Sequence, residues 1–496
     1  MAANKTNNTI QALWVAIGSL CAFGVTLIST MILSRYFDKT DYGTYRQVLY
    51  VYQTLLIVFT LGLPKAYAYF LPRVEDCYAK SLINKITRIF YLLGGVFSVL
   101  LFIFAPQIAA ALKNPDLTSA LRIFSPVPFL MLPTMGIEGI YAAYQKNRYM
   151  ALYNVLTKSL ILLCVALPVL FFNGSYKEAL MGFVAASFVS FLVATYMKSW
   201  CVRGKGAKPT AITNRDIFRF SLPLLFASLW GILTQSADSF FISRFFGTDV
   251  FAEFSNGSLQ LPFVGMIIGA CSTVLMPLFS KKVHENADPK TEILPVWRNV
   301  FEKVIKITYP LIVFFLFYAT EIMVILYGLE YESSGIFFRI NICVNIFTVI
   351  SYFPILISIG AFKYYKDAHM WRAIVITVLQ YFSVKLFNNP YLVVVLSSIG
   401  NILMIVAFTY YTANYFKVRV LDVVPMRLCV NILLSSIIIL FIANWIYSYC
   451  NVNSFRLFDI TLMFFVYAII YAIWTYIAKI EYMSIISPIL SKLNQK

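Results

Sequence analysis

Charge is scarce in this 496-residue chain: Asp, Glu, Lys and Arg together make 12% of it, about half the share found in soluble globular chains. A soluble domain needs polar side chains to cover its exterior. With 60% hydrophobic residues and a mean hydropathy of +0.77, this chain cannot supply them. That shortage excludes a cytosolic enzyme, a secreted disulfide scaffold and a disordered chain. Histidine is nearly absent; the two present, His284 and His369, sit in polar stretches, which leaves little basis for His-based metal or acid–base chemistry. The eight cysteines, at 21, 77, 164, 201, 271, 343, 429 and 450, fall mostly inside apolar runs and show no ligand spacing, so neither a zinc site nor a disulfide framework is indicated. A Walker-type glycine loop is also missing, which argues against direct ATP drive. What is abundant is aromatic and aliphatic: 44 Phe, 33 Tyr and 7 Trp within long apolar runs. The composition is that of an all-α, polytopic membrane protein.

A spanning helix needs about 20 apolar residues. Runs of that kind lie near 10–34, 44–71, 89–112, 118–144, 150–173, 178–200, 217–243, 250–279, 307–327, 335–362, 369–387, 391–416, 428–449 and 457–478, which predicts about 14 spans, the eleventh the shortest. Only Lys5 precedes the first, and no small-residue cleavage pattern follows it, so it reads as a retained helix rather than a signal peptide. The net charge of +18 does not point to nucleic acid, because the basic residues sit in short loops between apolar runs. Of the 40 Lys and Arg, 28 fall on the side shared by both termini and ten on the other. The excess of basic residues marks the cytoplasmic side, so both termini are expected in the cytoplasm.

The chain repeats itself. Leu33-Ser34-Arg35-Tyr36-Phe37 recurs as Ile242-Ser243-Arg244-Phe245-Phe246, and Thr40-Asp41 and Tyr45 have counterparts in Thr248-Asp249 and Phe254, at an offset near 209 residues. A weaker match joins Leu121-Arg122-Ile123 to Phe338-Arg339-Ile340. Both link a helix to the sixth one after it, and an even number of helices preserves orientation, so two parallel six-helix bundles are expected. The predicted division is 1–200 and 217–416 for the bundles, 201–216 for a basic cytoplasmic linker, and 417–496 for two additional C-terminal helices and a tail. Within 281–306, Val296, Trp297, Val300, Phe301 and Val304 recur at three and four, which predicts an amphipathic helix on the cytoplasmic surface.

At these residues the chain resembles the multidrug/oligosaccharidyl-lipid/polysaccharide exporter superfamily, in particular the polysaccharide-biosynthesis branch that contains the O-antigen-type oligosaccharide flippases. The resemblance covers roughly 9–420. It rests on Leu33–Phe37 followed by Tyr42-Gly43-Thr44-Tyr45, on Asp238 before Ile242–Gly247, and on Glu321-Ile322 leading to Leu326-Tyr327-Gly328 and Tyr331. It implies alternating access around a central cavity in the bacterial inner membrane. A polyprenyl-diphosphate-linked glycan would be the cargo, polysaccharide polymerase machinery a partner, and no cofactor would be needed beyond a proton or sodium gradient. A multidrug exporter or a peptidoglycan-precursor flippase of the same superfamily remains the alternative. A membrane glycosyltransferase or polymerase is less favoured, because every outer loop is short.

Ionisable groups inside a membrane are costly and usually face a cavity or one another. Lys65 lies eight residues before Arg73, about 12 Å inward from the basic loop, and Glu138 lies at similar depth before Lys146. Lys158 is ten residues beyond Arg148, about 15 Å in, and Asp238 is about 9 Å from the outer end marked by Arg244. The cargo implied by the resemblance makes Lys65 and Lys158 diphosphate ligands, with Arg35, Arg122, Arg244 and Arg339 drawing the anion toward the outer mouth. Asp238, Glu138 and Glu321 become the candidates for ion coupling. Plainer readings stand beside these: Lys65 snorkelling to the interface, a Glu138–Lys158 ion pair, an Asp238–Arg244 pair, arginines as interface anchors, and Glu321 in packing.

Overall fold

Proline, glycine and capping side chains decide where each apolar helix stops. The structure, a computed structural model, describes residues 8–172, 174–204, 208–349, 351–449 and 457–478. Both chain ends, Cys450, part of the 201–216 linker, and Lys5, Lys205, Arg456, Lys479, Lys492 and Lys496 of the basic count lie outside them. The described residues are helical without strands and form two units.

The first unit takes the described residues up to Ser255 together with Thr377–Val393. Its helices are α1 (Asn8–Tyr36), α2 (Lys39–Phe59), α3 (Pro64–Phe70), α4 (Asp76–Ile103), α5 (Ala105–Leu112), α6 (Leu117–Phe124), α7 (Pro126–Met131), α8 (Ile137–Ala143), α9 (Asn147–Phe172), α10 (Tyr176–Cys201) and α11 (Asn214–Gly257). Asp38 caps α2 by accepting from the Asp41 N–H at 2.7 Å. Ser175 and Glu178 form a capping box at the start of α10. α11 bends by 41° near residue 227, one turn beyond Pro223, which withholds a backbone donor from the helix.

Two glycines set the packing of this unit. A Cβ on Gly43 in α2 would fall on the Thr248 carbonyl of α11, so only glycine admits that approach. Gly136, at φ +77°, turns the chain into α8 where a Cβ would collide with the Tyr67 ring.

The second unit takes Asn256–Ile376 and the described residues from Val394 onward. It contains α12 (Pro262–His284), α13 (Leu294–Phe317), α14 (Ala319–Tyr327), α15 (Ser334–Asn345), α16 (Phe353–Ser358), most of α17 (Phe362–Leu386) and α18 (Pro390–Phe416), then α19 (Val420–Val423), α20 (Met426–Tyr449) and α21 (Leu457–Ile477). The amphipathic stretch expected to lie separately on the surface is instead the first half of α13. Its buried face of Trp297, Phe301 and Val304 continues in register through Thr308, Tyr309 and Ile312, so nothing ends the helix at 306. The chain turns by 70° only at Tyr318. The two additional helices dock on α13: Phe314 packs against Phe464 and Tyr467, and Tyr467 donates to the Pro310 carbonyl at 3.1 Å. Tyr318 donates to Asn444 on α20 at 3.2 Å.

Among the described residues, 10 helices are long and apolar enough to cross a membrane, or 12 when each bent pair is one span. The two other runs foreseen as spans fall on α15 with α16, broken between them, and on α17, whose first turns carry Lys363, Lys366, Asp367 and Arg372. The chain is a multi-pass membrane protein.

Candidate functional site: lysines within the spans

Lys65, Glu138 and Lys158 stand on three elements packed in series, α3 on α8 and α8 on α9. The α3–α8 crossing is close, because Gly139 lies against Ala68 and Tyr67. All three charged side chains are exposed. Glu138 does not meet Lys158. It accepts a hydrogen bond from Asn154 Nδ2 at 3.4 Å, one turn before Lys158 on the same face of α9. Neither Lys65 nor Lys158 has a hydrogen-bonding or acidic partner for its ammonium among the described residues. Lys158 lies about 16 Å from the start of a 26-residue helix, close to its middle. An unpaired ammonium at that depth costs several kcal/mol against hydrocarbon, so it requires water or an anion.

A third lysine in this unit is not marked out by its sequence. Lys198, grouped there with the cytoplasmic basic residues, is buried at 6% exposure. Its Nζ donates to the Pro133 carbonyl, to the Met135 carbonyl at 3.4 Å and to Tyr67 Oη at 3.5 Å. Pro133 and Met135 belong to the break between α7 and α8, where carbonyls lack helical partners. Lys198 satisfies them and so fixes the start of α8, which carries Glu138.

Asp238 is half-buried on α11 and accepts from Gln380 Nε2 at 2.5 Å. Arg244 donates instead to the Ala111 carbonyl in the last turn of α5. In the second unit Arg339 does the equivalent, its Nε reaching the Leu316 carbonyl at 3.2 Å in the last turn of α13. Both arginines thus sit where the helix dipole favours a cation. Arg35 and Arg122 are exposed, Arg122 lying over the Phe102 ring at 5.4 Å. Glu321, in the first turn of α14, holds a buried Oε2 without a hydrogen-bond partner.

A neutral network, also invisible to a search for charge, ties α2 to α11. Asn114 Nδ2 donates to Thr44 at 2.9 Å and to Gln47 Oε1 at 2.6 Å, and Gln47 Nε2 donates to Ser243 at 2.7 Å. All four residues are buried. Around them, Lys39 pairs with Glu253 at 2.7 Å and Thr40 bonds Asp249 at 2.9 Å. The two copies of the repeated motif therefore meet one another. Among the described residues no group of His, Cys, Asp and Glu can hold a metal ion.

Residues 10–283, more than half the chain, match the family described as polysaccharide biosynthesis protein. No curated protein matches the sequence. Solved structures do. The lipid II flippase MurJ, in an inward closed conformation, is similar at a TM-score of 0.69 and 15% identity, over 94% of this chain and 99% of that one. An inward-facing multidrug resistance MATE family transporter of the MOP superfamily gives 0.61 at 13% identity, over 82% and 94%. A MOP superfamily transporter from Pyrococcus furiosus gives 0.57 at 14% identity, over the same shares. The fold is that of MOP-type transporters.

Proposed function

The chain belongs to the polysaccharide biosynthesis protein family, and from that premise we propose that it flips a polyprenyl-diphosphate-linked oligosaccharide from the cytoplasmic to the outer leaflet of the bacterial inner membrane. The observation that supports this reading is the pair of exposed, unpartnered ammonium groups of Lys65 and Lys158 within the spans. A diphosphate is the ligand that suits them. It carries the anionic charge that ammonium groups within a span need, and each Lys is a point-charge phosphate partner with three rotatable donors. The glycan needs a watery path for the same reason that Lys158 does, since neither is tolerated by hydrocarbon.

Transport then follows from differential binding. The bundles 1–200 and 217–416 alternate access, the lysines bind the diphosphate in the inward-open state, and contact is lost as the cavity opens outward. No covalent bond is made or broken. Asp238 is the proposed coupling group, because protonation removes the negative charge on the acceptor that Gln380 uses and so weakens a contact within α11's own unit. The Arg35 and Arg122 side chains, both exposed, are the proposed outer attraction for the anion.

The likeness to a lipid II flippase favours a second reading with a peptidoglycan-precursor cargo. Both readings use the same lysines. Deleting the gene and identifying which lipid-linked glycan accumulates on the cytoplasmic leaflet separates them: an oligosaccharide of a surface polysaccharide supports the first, a peptidoglycan precursor the second, and no accumulation contradicts both. Restoration by wild-type protein but not by Lys65→Gln or Lys158→Gln, at matched expression, ties the result to the site.

A further inference from the structure

A cleft of about 810 Å³ opens in the second unit, lined by none of the lysines described above. One wall is the start of α13 with the turn before it, Lys290 to Glu302, and the other is the segment Lys417 to Asp422 that leaves α18. Lys290, Arg298, Lys417 and Arg419 line it against two carboxylates, Glu302 and Asp422, so the cleft carries net positive charge. Its acids do not saturate its bases. Arg419 takes Asp422 through Nε at 3.0 Å and a second nitrogen at 3.4 Å. Arg298 Nε is buried without a hydrogen-bond partner, and Lys290 and Lys417 have no side-chain partner among the described residues. A buried guanidinium donor left unmade is expensive, and it marks a place for an acceptor.

The backbone fixes this arrangement. Lys417 sits at φ +54°, closing α18 with the Lys417 N–H on the Asn414 carbonyl at 3.2 Å and the Val418 N–H on the Ala413 carbonyl at 3.1 Å. Next in sequence to the cleft's Asp422, Leu421 is 65% exposed. Charged donors next to uncovered apolar side chains are the pattern of a lipid-headgroup site at a basic membrane face.

We propose that the cleft formed by Lys290, Arg298, Lys417 and Arg419 binds a phosphate-bearing anion, the headgroup of an anionic phospholipid, at a site that shares no residue with Lys65 and Lys158. The exposed Leu421 favours a lipid over a soluble phosphate, because only a lipid brings acyl chains to cover it.

The test uses the full chain purified in a neutral detergent. Binding is read by thermal stabilisation on titration with phosphatidylglycerol, with phosphatidylcholine, and with inorganic phosphate. Saturable stabilisation by phosphatidylglycerol, at least about tenfold weaker in Arg298→Gln and in Lys290→Gln/Lys417→Gln, supports the proposal with a lipid as the source. Saturable stabilisation by inorganic phosphate alone, with the same loss in both variants, overturns the lipid source and leaves the phosphate chemistry. Equal affinity in wild type and the folded Lys290→Gln/Lys417→Gln variant, or no response to any of the three, overturns the site. The double variant alters exposed lysines, so it reports even if Arg298→Gln does not fold.

Discussion

Asn154 donates to Glu138 at 3.4 Å from the turn directly before Lys158, while Glu138 and Lys158 themselves form no ion pair. An internal Glu138–Lys158 ion pair would have accounted for both charges without any ligand. Its absence leaves Lys158 as an uncompensated cation near the middle of α9, where a hydrogen-bonding or anionic environment has to come from outside the helices that carry it.

Replacing Lys158 or Lys65 by Gln removes one charge-assisted contact each, about 1.5–3 kcal/mol. At about 1.4 kcal/mol per tenfold, diphosphate-lipid affinity should fall roughly ten- to 100-fold, and Lys→Arg should retain more of it. Equilibrium binding of a polyprenyl diphosphate to purified variants checks this; unchanged affinity in both removes the lysines from the site.

Lys198→Leu should destabilise the protein by about 1–3 kcal/mol for the carbonyls it leaves unsatisfied, chiefly those of Pro133 and Met135. A lower Tm for Lys198→Leu, with binding of the diphosphate lipid retained by the folded fraction, is the expected result. A variant as stable as wild type would show that the α7–α8 break does not depend on this side chain.

Gly43→Leu should be more damaging, since even a Cβ falls on the Thr248 carbonyl. Overpacking of this kind costs about 1–3 kcal/mol or more, and here it also pulls at the Gln47–Ser243 and Lys39–Glu253 contacts of the same helix pair. Yield and Tm in detergent measure it.

Asp238→Asn keeps an amide oxygen for Gln380 to reach but loses the ability to take up a proton. The fold should persist while transport into proteoliposomes no longer responds to an imposed pH gradient. A response equal to wild type would eliminate Asp238 as the coupling group.

Much of the helical layout is legible in the sequence because long apolar runs have few other outcomes in a membrane. The breaks are harder to read. Apolar composition continues straight through Ser125, Leu132–Gly136 and Tyr318, so hydropathy does not register the turns there, and only Pro126, Pro133 and Gly136 hint at them. The stretch 281–306 reads as a separate amphipathic helix because Val296, Trp297, Val300, Phe301 and Val304 recur at three and four, yet its buried face runs on unbroken into α13. Depth along a helix was readable from residue counts, which is why Lys65 and Lys158 could be singled out. Partnership was not: Lys198 meets a carbonyl 65 residues earlier, and Asn114 meets Gln47 across 67 residues. Such contacts depend on which helices pack together. The repeated motif came nearest to foretelling one, since Thr40 bonds Asp249, the counterpart of its own neighbour Asp41.

Water access at Lys158 tests the central claim most directly. A Lys158→Cys variant in a background lacking the native cysteines, held in sealed membranes, should react with a charged, membrane-impermeant methanethiosulfonate reagent, because only a hydrated thiol forms the reactive thiolate. A polyprenyl diphosphate should protect it. A thiol that ignores the charged reagent from either side in the folded protein, yet reacts with it once the protein is denatured, would place residue 158 in hydrocarbon and contradict the account.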